Sequence, residues 1–148
     1  MVPNRKISIN SKNNLAGGIN NRFLVPLNEL QERPLTILES VILYLKDKRG
    51  LNYHEISELL KRDEANTRHT YKFAKLKKIS GYTKKIFFSE ILVPASIFAN
   101  REISAFESLV VYLHEEIKLS LHEIAVLLNR SSSTIRVVNS RARKKYVN

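Results

Sequence analysis

The chain contains no cysteine, which excludes disulfides, thiolate metal sites and thiol nucleophiles. No apolar run is long enough to span a bilayer, and the opening MVPNRKISIN has no apolar signal core. A cytoplasmic or nucleoid-associated protein with no membrane partner is therefore expected. Glycine is scarce, four in 148 residues, and none of it forms a phosphate-cradling loop. Carboxylates are outnumbered, 14 against 25 Lys and Arg, and they stand at helix starts and on helix surfaces instead of in a catalytic cluster. The reading is of a non-enzyme that needs no cofactor. The resulting charge of +11, in a composition that is 43% hydrophobic, points to a soluble protein with a polyanionic partner. Residues 1–22 lack acids altogether, carry Arg5, Lys6, Lys12 and Arg22, and have too little apolar content to build a core, so they read as a basic flexible arm.

What fills the rest of the chain is a duplication. YHEISELLKRDEANTR, starting at Tyr53, returns as LHEIAVLLNRSSSTIR, starting at Leu121, an offset of 68 residues that holds without a gap from Phe23–Lys77 onto Ile91–Lys145. Identical pairs along it include Val25/Val93, Arg33/Arg101, Glu39/Glu107, Leu60/Leu128, Arg62/Arg130, Arg68/Arg136, Ala74/Ala142 and Lys77/Lys145. Two small modules in tandem follow: repeat one at 23–78, a linker at 79–90, and repeat two at 91–148.

Each repeat opens on a short extended apolar piece, FLVP at 23–26 and FFSEILVP at 87–94, ended by a proline suited to a turn or a first helical position. The pattern leaves open whether these pieces pair. Capping boxes then start two helices per repeat: Thr36-x-x-Glu39 and Asn52-x-x-Glu55 in the first, Ser104-x-x-Glu107 and Ser120-x-x-Glu123 in the second. Ile37, Leu38, Val41, Ile42 and Leu45, like Phe106, Leu109, Val110 and Leu113, recur at helical spacing, and Gly50 stops the first of these helices. The second helices bury Ile56, Leu59 and Leu60, or Ile124, Leu127 and Leu128. After a corner at 61–62 or 129–130, Asp63 and Ser131 cap a third helix running to about Lys77 or Lys145. The fold class expected is mainly α, two tandem tri-helical helix-turn-helix modules, each preceded by a short extended segment.

Charge is segregated by element. Acids dominate the first two helices of repeat two, whereas Arg130, Arg136, Arg141, Arg143, Lys144 and Lys145 make everything beyond the corner basic. Residues 61–85 carry nine Lys or Arg against Asp63 and Glu64. His54-Glu55 and His122-Glu123 lack the second histidine, four residues on, that a zinc protease helix needs, since Glu58 and Val126 stand there. These residues instead open the second helices, the glutamates completing the capping boxes.

The stretch LSLHEIAVLLNRSSSTIRVVNSRARKK, residues 119–145, resembles the helix-turn-helix of region four of bacterial sigma factors and related DNA-binding regulators. The resemblance rests on the L-S-x-x-E-I-A-x-L-L opening, the serine cap, the T-I-R start of the third helix and the basic tail. Arg130 stands where the family has an apolar corner residue, and Asn139 where it commonly has an apolar core residue. Repeat one is further off, with Thr67 and Thr70 at the positions of Ile135 and Val138. Nothing resembles the aromatic strand-melting region of a complete sigma factor. The resemblance implies a third helix that reads the major groove and earlier helices that offer a surface to RNA polymerase, and the doubling suggests a dedicated duplex-DNA binder and transcription regulator.

With Ile135, Val138 and Ala142 on the core face, the family pattern puts Ser132, Ser133, Arg136, Val137 and Ser140 toward the groove. Arg136 can take guanine in a bidentate contact, and Val137 can meet a thymine methyl. The matching positions of repeat one are Glu64, Ala65, Arg68, His69 and Lys72. Glu64 can accept from cytosine, yet beside Asp63 it repels phosphate, so repeat one either reads a different sequence or packs and dimerises. DNA phosphates fall to Ser131, Lys75, Lys77, Arg141, Arg143, Lys144 and Lys145. Arg62 and Arg130 either anchor phosphate as well or bond a helix carboxyl end. An adaptor for RNA polymerase or another protein, and an RNA binder, are the alternative readings; the second is weakened by the shortage of candidate stacking aromatics beyond Tyr71, Phe73 and Tyr82.

Overall fold

The computed structural model describes residues 23–79 and 89–147. The basic arm and nearly all of the linker lie outside them. The protein is mainly helical, and its element order repeats: strand β1 (Leu24–Pro26), a 3-10 turn (Leu27–Leu30), helices α1 (Ile37–Leu43), α2 (Tyr53–Leu60) and α3 (Glu64–Ile79), then β2 (Leu92–Pro94), a 3-10 turn (Ala95–Ala99), and α4 (Ala105–Val111), α5 (Leu121–Leu128) and α6 (Ser132–Val147). All four capping boxes form reciprocally. In the first, the Glu39 amide donates to Thr36 Oγ1 at 3.1 Å and the Thr36 amide donates to Glu39 Oε1 at 2.8 Å. The boxes at Asn52, Ser104 and Ser120 copy it. Such caps satisfy first-turn amides that would otherwise have no intrahelical partner.

The extended pieces pair with each other. β1 and β2 run antiparallel with Leu24 opposite Pro94, Val25 opposite Val93 and Pro26 opposite Leu92. Each strand thus meets its own duplicate, Val25 on Val93, so the repeats are related by a local twofold axis through that pair. Flanking bonds obey the same symmetry: the Leu27 amide donates to the Ile91 carbonyl at 3.0 Å, and the Ala95 amide to the Phe23 carbonyl at 2.9 Å. The prolines end the pairing and cap the 3-10 turns.

The two repeats share one core. Val25, Leu27, Leu30, Val41, Leu45, Ile56 and Leu60 form a continuous buried cluster with Val93, Phe98, Leu109, Leu113, Ile124, Leu128 and Ile135. The turn Ala95–Ala99 of repeat two packs on α2 of repeat one, and α1 meets α4. A module of about sixty residues buries a smaller share of its surface than a chain of twice that length. The duplication solves this by fusing two marginal cores.

Each first helix widens into a π turn, Tyr44–Lys48 or Tyr112–Glu116, and ends at a residue of positive φ, Gly50 at 71° or Lys118 at 67°. Three residues on from the π turn, the Leu51 amide reaches back to the Leu45 carbonyl (3.1 Å) and the Leu119 amide to the Leu113 carbonyl (3.0 Å), closing the helix ends. A side chain in this left-handed region costs roughly 1–2 kcal/mol, while glycine returns about 0.5–1 through the unfolded chain. Lys118→Gly is therefore expected to stabilise the protein by up to about 1 kcal/mol, raising Tm by roughly 2–4 °C in thermal denaturation. An unchanged or lower Tm would show that the Lys118 side chain offsets its backbone cost.

Candidate nucleic-acid interface

The third helices are positioned from below by small and apolar residues. Ile135 and Ala142 are fully buried, with Val138 and Asn139 nearly so, and in repeat one Thr67 and Ala74 take that face. Thr67 replaces the apolar contact of Ile135 with hydrogen bonds, its hydroxyl donating to the Asp63 carbonyl (2.9 Å) and accepting from Ser57 Oγ (3.3 Å). Asp63 and Ser131 cap as the sequence predicts: the Asn66 amide donates to Asp63 Oδ2 at 3.0 Å and the Thr134 amide to Ser131 Oγ at 3.2 Å. The Ser131 hydroxyl also bonds Thr134 Oγ1 at 2.7 Å. The αL residues Lys61 and Asn129 make the corners.

The faces assigned to base reading are outward. Ser133, Arg136, Val137 and Ser140 are exposed and Ser132 half-buried; Glu64, Ala65, Arg68, His69 and Lys72 are all exposed. They differ electrostatically. In repeat one Glu64 lies 3.7 Å from Arg68 and 3.7 Å from His54, so its carboxylate draws on the arginine. In repeat two Ser132 replaces Glu64, and Arg136 has no carboxylate partner among the described residues. Lower on the same faces, Phe73 and Leu76 of α3, 48% and 63% exposed, stand where α6 has Arg141 and Lys144. His69 packs edge-on against Phe73, ring centroids 4.6 Å apart.

Several residues assigned to phosphate are engaged inside the protein. Lys77 bonds Glu39 Oε1 at 2.8 Å, and Lys145 bonds Glu107 Oε1 at the same distance, tying each third helix to the capping box of its first. Lys75 pairs with Asp47, which also accepts from the Tyr71 hydroxyl at 2.6 Å. The corner arginines reach across the repeats: Arg62 Nη2 donates to the Phe98 carbonyl (3.3 Å) and Arg130 Nη2 to the Leu35 carbonyl (3.5 Å). Arg33 and Arg101, which sequence reasoning left without a role, complete the bracing, donating to the carbonyls of Asn129 (3.2 Å) and Lys61 (3.1 Å). Their identity at the repeat offset was the available signal. Ser131 remains exposed at the cap, and Arg141, Arg143 and Lys144 remain exposed in a helix with no acidic residue.

The Lys145–Glu107 pair makes a pH prediction. Burial by itself would raise the Glu107 carboxyl, but the Lys145 ammonium and the hydrogen bonds from Ser104 outweigh it and hold the group below its ordinary value of 4.5. Asp47 is likewise held low: its burial works the other way, and Lys75 and Tyr71 outweigh that. A carboxyl depressed in the folded state stabilises above its unfolded pKa, and the stabilisation is lost as pH falls through the folded one. Tm is expected to stay level between about pH 7 and 5 and to fall below about pH 4.5. Glu107→Gln should weaken that dependence; an equally steep acid limb in this variant would remove Glu107 from its origin.

Among the described residues no group of His, Asp and Glu has the arrangement of a metal site, and no helix is long and apolar enough to cross a membrane. No family model, curated protein or solved structure matches the chain.

Proposed function

We propose that the protein is a sequence-specific duplex-DNA binder that regulates transcription, its two helix-turn-helix units acting as a dimer contained in one chain. The observation that carries this reading is the outer face of α6. It presents Arg136, Arg141, Arg143 and Lys144 to solvent with no acid in the helix, above a face fixed in the core by Ile135, Val138 and Ala142. A rigid, acid-free basic helix behind a short corner suits entry into the major groove. On the outer faces of the third helices the identical pair is Arg68/Arg136, the residue type best suited to guanine. Arg141, Arg143 and Lys144 meet phosphates in this reading, with the arm of residues 1–22 adding charge.

The twofold relation adds a geometric expectation. Third helices related by a dyad meet half-sites in inverted orientation, about 10 base pairs apart. Because the outward residues of α3 and α6 differ, the half-sites differ in sequence. Selection from a random duplex library with the purified full chain tests the reading: enrichment of a duplex with two inverted, non-identical elements is expected, and recovery of unenriched sequence would refute specific binding.

Phe73 and Leu76 favour a second reading for repeat one. Exposed apolar residues flanked by Lys72 and Lys75 suit a protein contact, such as RNA polymerase, better than a phosphate track. Footprints that cover a single half-site would select this reading for α3.

A further inference from the structure

Between the repeats lies a cleft of about 600 Å³, in the range of small-molecule sites, whose walls come from both halves of the duplication. Arg62 enters from repeat one and Arg130 from repeat two, with Arg33 also in the lining, and Leu35, Leu38 and Phe106 are among its apolar residues. The lining contains no carboxylate among the described residues. Each corner arginine spends one nitrogen on a carbonyl of the other repeat. Arg62 Nε and Arg130 Nη1 are buried without a hydrogen-bond partner among the described residues. A buried donor of a charged group left unmatched is costly, and most native structures avoid it.

The charge is unmatched as well. Burial, and then the neighbouring Arg33, lowers the Arg130 guanidinium to about 10; burial, and then Arg101, lowers Arg62. Both causes act against the cation, and a nearby anion would reverse them. The rest of the lining joins apolar Leu35, Leu38 and Phe106 to the hydroxyls of Thr36, Ser104 and Thr134. Leu38 and Phe106 occupy equivalent positions in the first turns of α1 and α4, yet neither is fully buried, and the Phe106 ring is held under Arg130 at 5.5 Å.

We propose that this cleft binds a small organic anion, its oxyanion head between Arg62 and Arg130 and its apolar body against Leu38 and Phe106. The head supplies negative charge to a lining that holds three guanidinium groups and, among the described residues, no carboxylate. The body accounts for a cavity far larger than an inorganic ion needs. This site does not depend on the DNA-reading role of the third helices, and its test contains no DNA.

The experiment titrates the full chain with phenyl phosphate at constant ionic strength, by calorimetry and by thermal denaturation, with inorganic phosphate and phenol as parallel probes. Phenyl phosphate is expected to bind saturably and raise Tm, inorganic phosphate to bind about tenfold more weakly for want of the apolar body, and phenol to produce no shift. Arg130→Gln should lower phenyl phosphate affinity by about tenfold or more through loss of a charge-assisted bond. Should that variant fail to fold, Arg33→Gln, at an exposed residue lining the same cleft, is expected to lower it about threefold. Three results would each overturn the proposal: no saturable binding of phenyl phosphate, equal binding of inorganic and phenyl phosphate, or affinity undiminished in the arginine variants.

Discussion

Phe98→Ala is expected to destabilise the entire chain by about 3–5 kcal/mol and to melt both repeats in one transition. Phe98 is fully buried in the 3-10 turn of repeat two, a turn that packs on α2 of repeat one as well as on α4 of its own repeat, and its carbonyl receives Arg62. Truncation removes most of an aromatic side chain from a site walled by both repeats, where neither half can collapse alone to fill the cavity. Against a typical stability of roughly 5–15 kcal/mol the loss is a large fraction of the total. Chemical denaturation followed by far-ultraviolet dichroism and by tyrosine fluorescence checks it. Coincident, shifted transitions are expected. A two-step curve, or a loss under about 1 kcal/mol, would mean that the repeats fold independently. Phe73→Ala, at an exposed position on α3, serves as the control and should change stability by no more than about 0.5 kcal/mol.

The local part of the fold was legible because its signals are local. A capping box needs residues three apart, and all four were readable as Thr36, Asn52, Ser104 and Ser120 with their glutamates. The core stripe of α6 was readable from spacing, and Ile135, Val138 and Ala142 are buried. The strand pairing was not readable, because FLVP and EILVP have the pattern of a pairing segment without naming a partner. Only the register, Val25 on Val93, reveals that the partner is the duplicate.

The arginines that brace the repeats, Arg62 and Arg130 with two roles open to them and Arg33 and Arg101 with none, escaped a sequence assignment for a related reason. The acceptors of Arg33, Arg62, Arg101 and Arg130 are backbone carbonyls, which every residue has, so no sequence pattern marks them. The ion pairs at Glu39–Lys77 and Glu107–Lys145 were marked, since both members are identical across the repeats, but each glutamate already had a capping role that explained it. One carboxylate does both tasks. Identity within the duplication therefore follows the scaffold, and on the outer faces of the third helices Arg68/Arg136 is the pair that the scaffold does not account for.

Arg136→Ala is accordingly expected to cost about 1–3 kcal/mol at the selected duplex, with specificity relaxed at one base pair and affinity for random DNA nearly unchanged. The double change Arg143→Ala, Lys144→Ala should instead weaken all duplexes alike and reduce the slope of log affinity against log salt by about two, because each phosphate contact releases close to one counterion. These outcomes separate because a base contact discriminates sequence, while a phosphate contact carries charge alone. Arg68→Ala should cost less than Arg136→Ala, since the Glu64 carboxylate 3.7 Å away already holds part of that guanidinium, and its effect should fall on the other half-site. Binding isotherms on selected and scrambled duplexes at several salt concentrations measure all three variants. If Arg136→Ala and the Arg143, Lys144 pair weaken selected and scrambled DNA equally, α6 rides on the backbone and does not read the groove. The dyad would then be an architectural device for bridging phosphates.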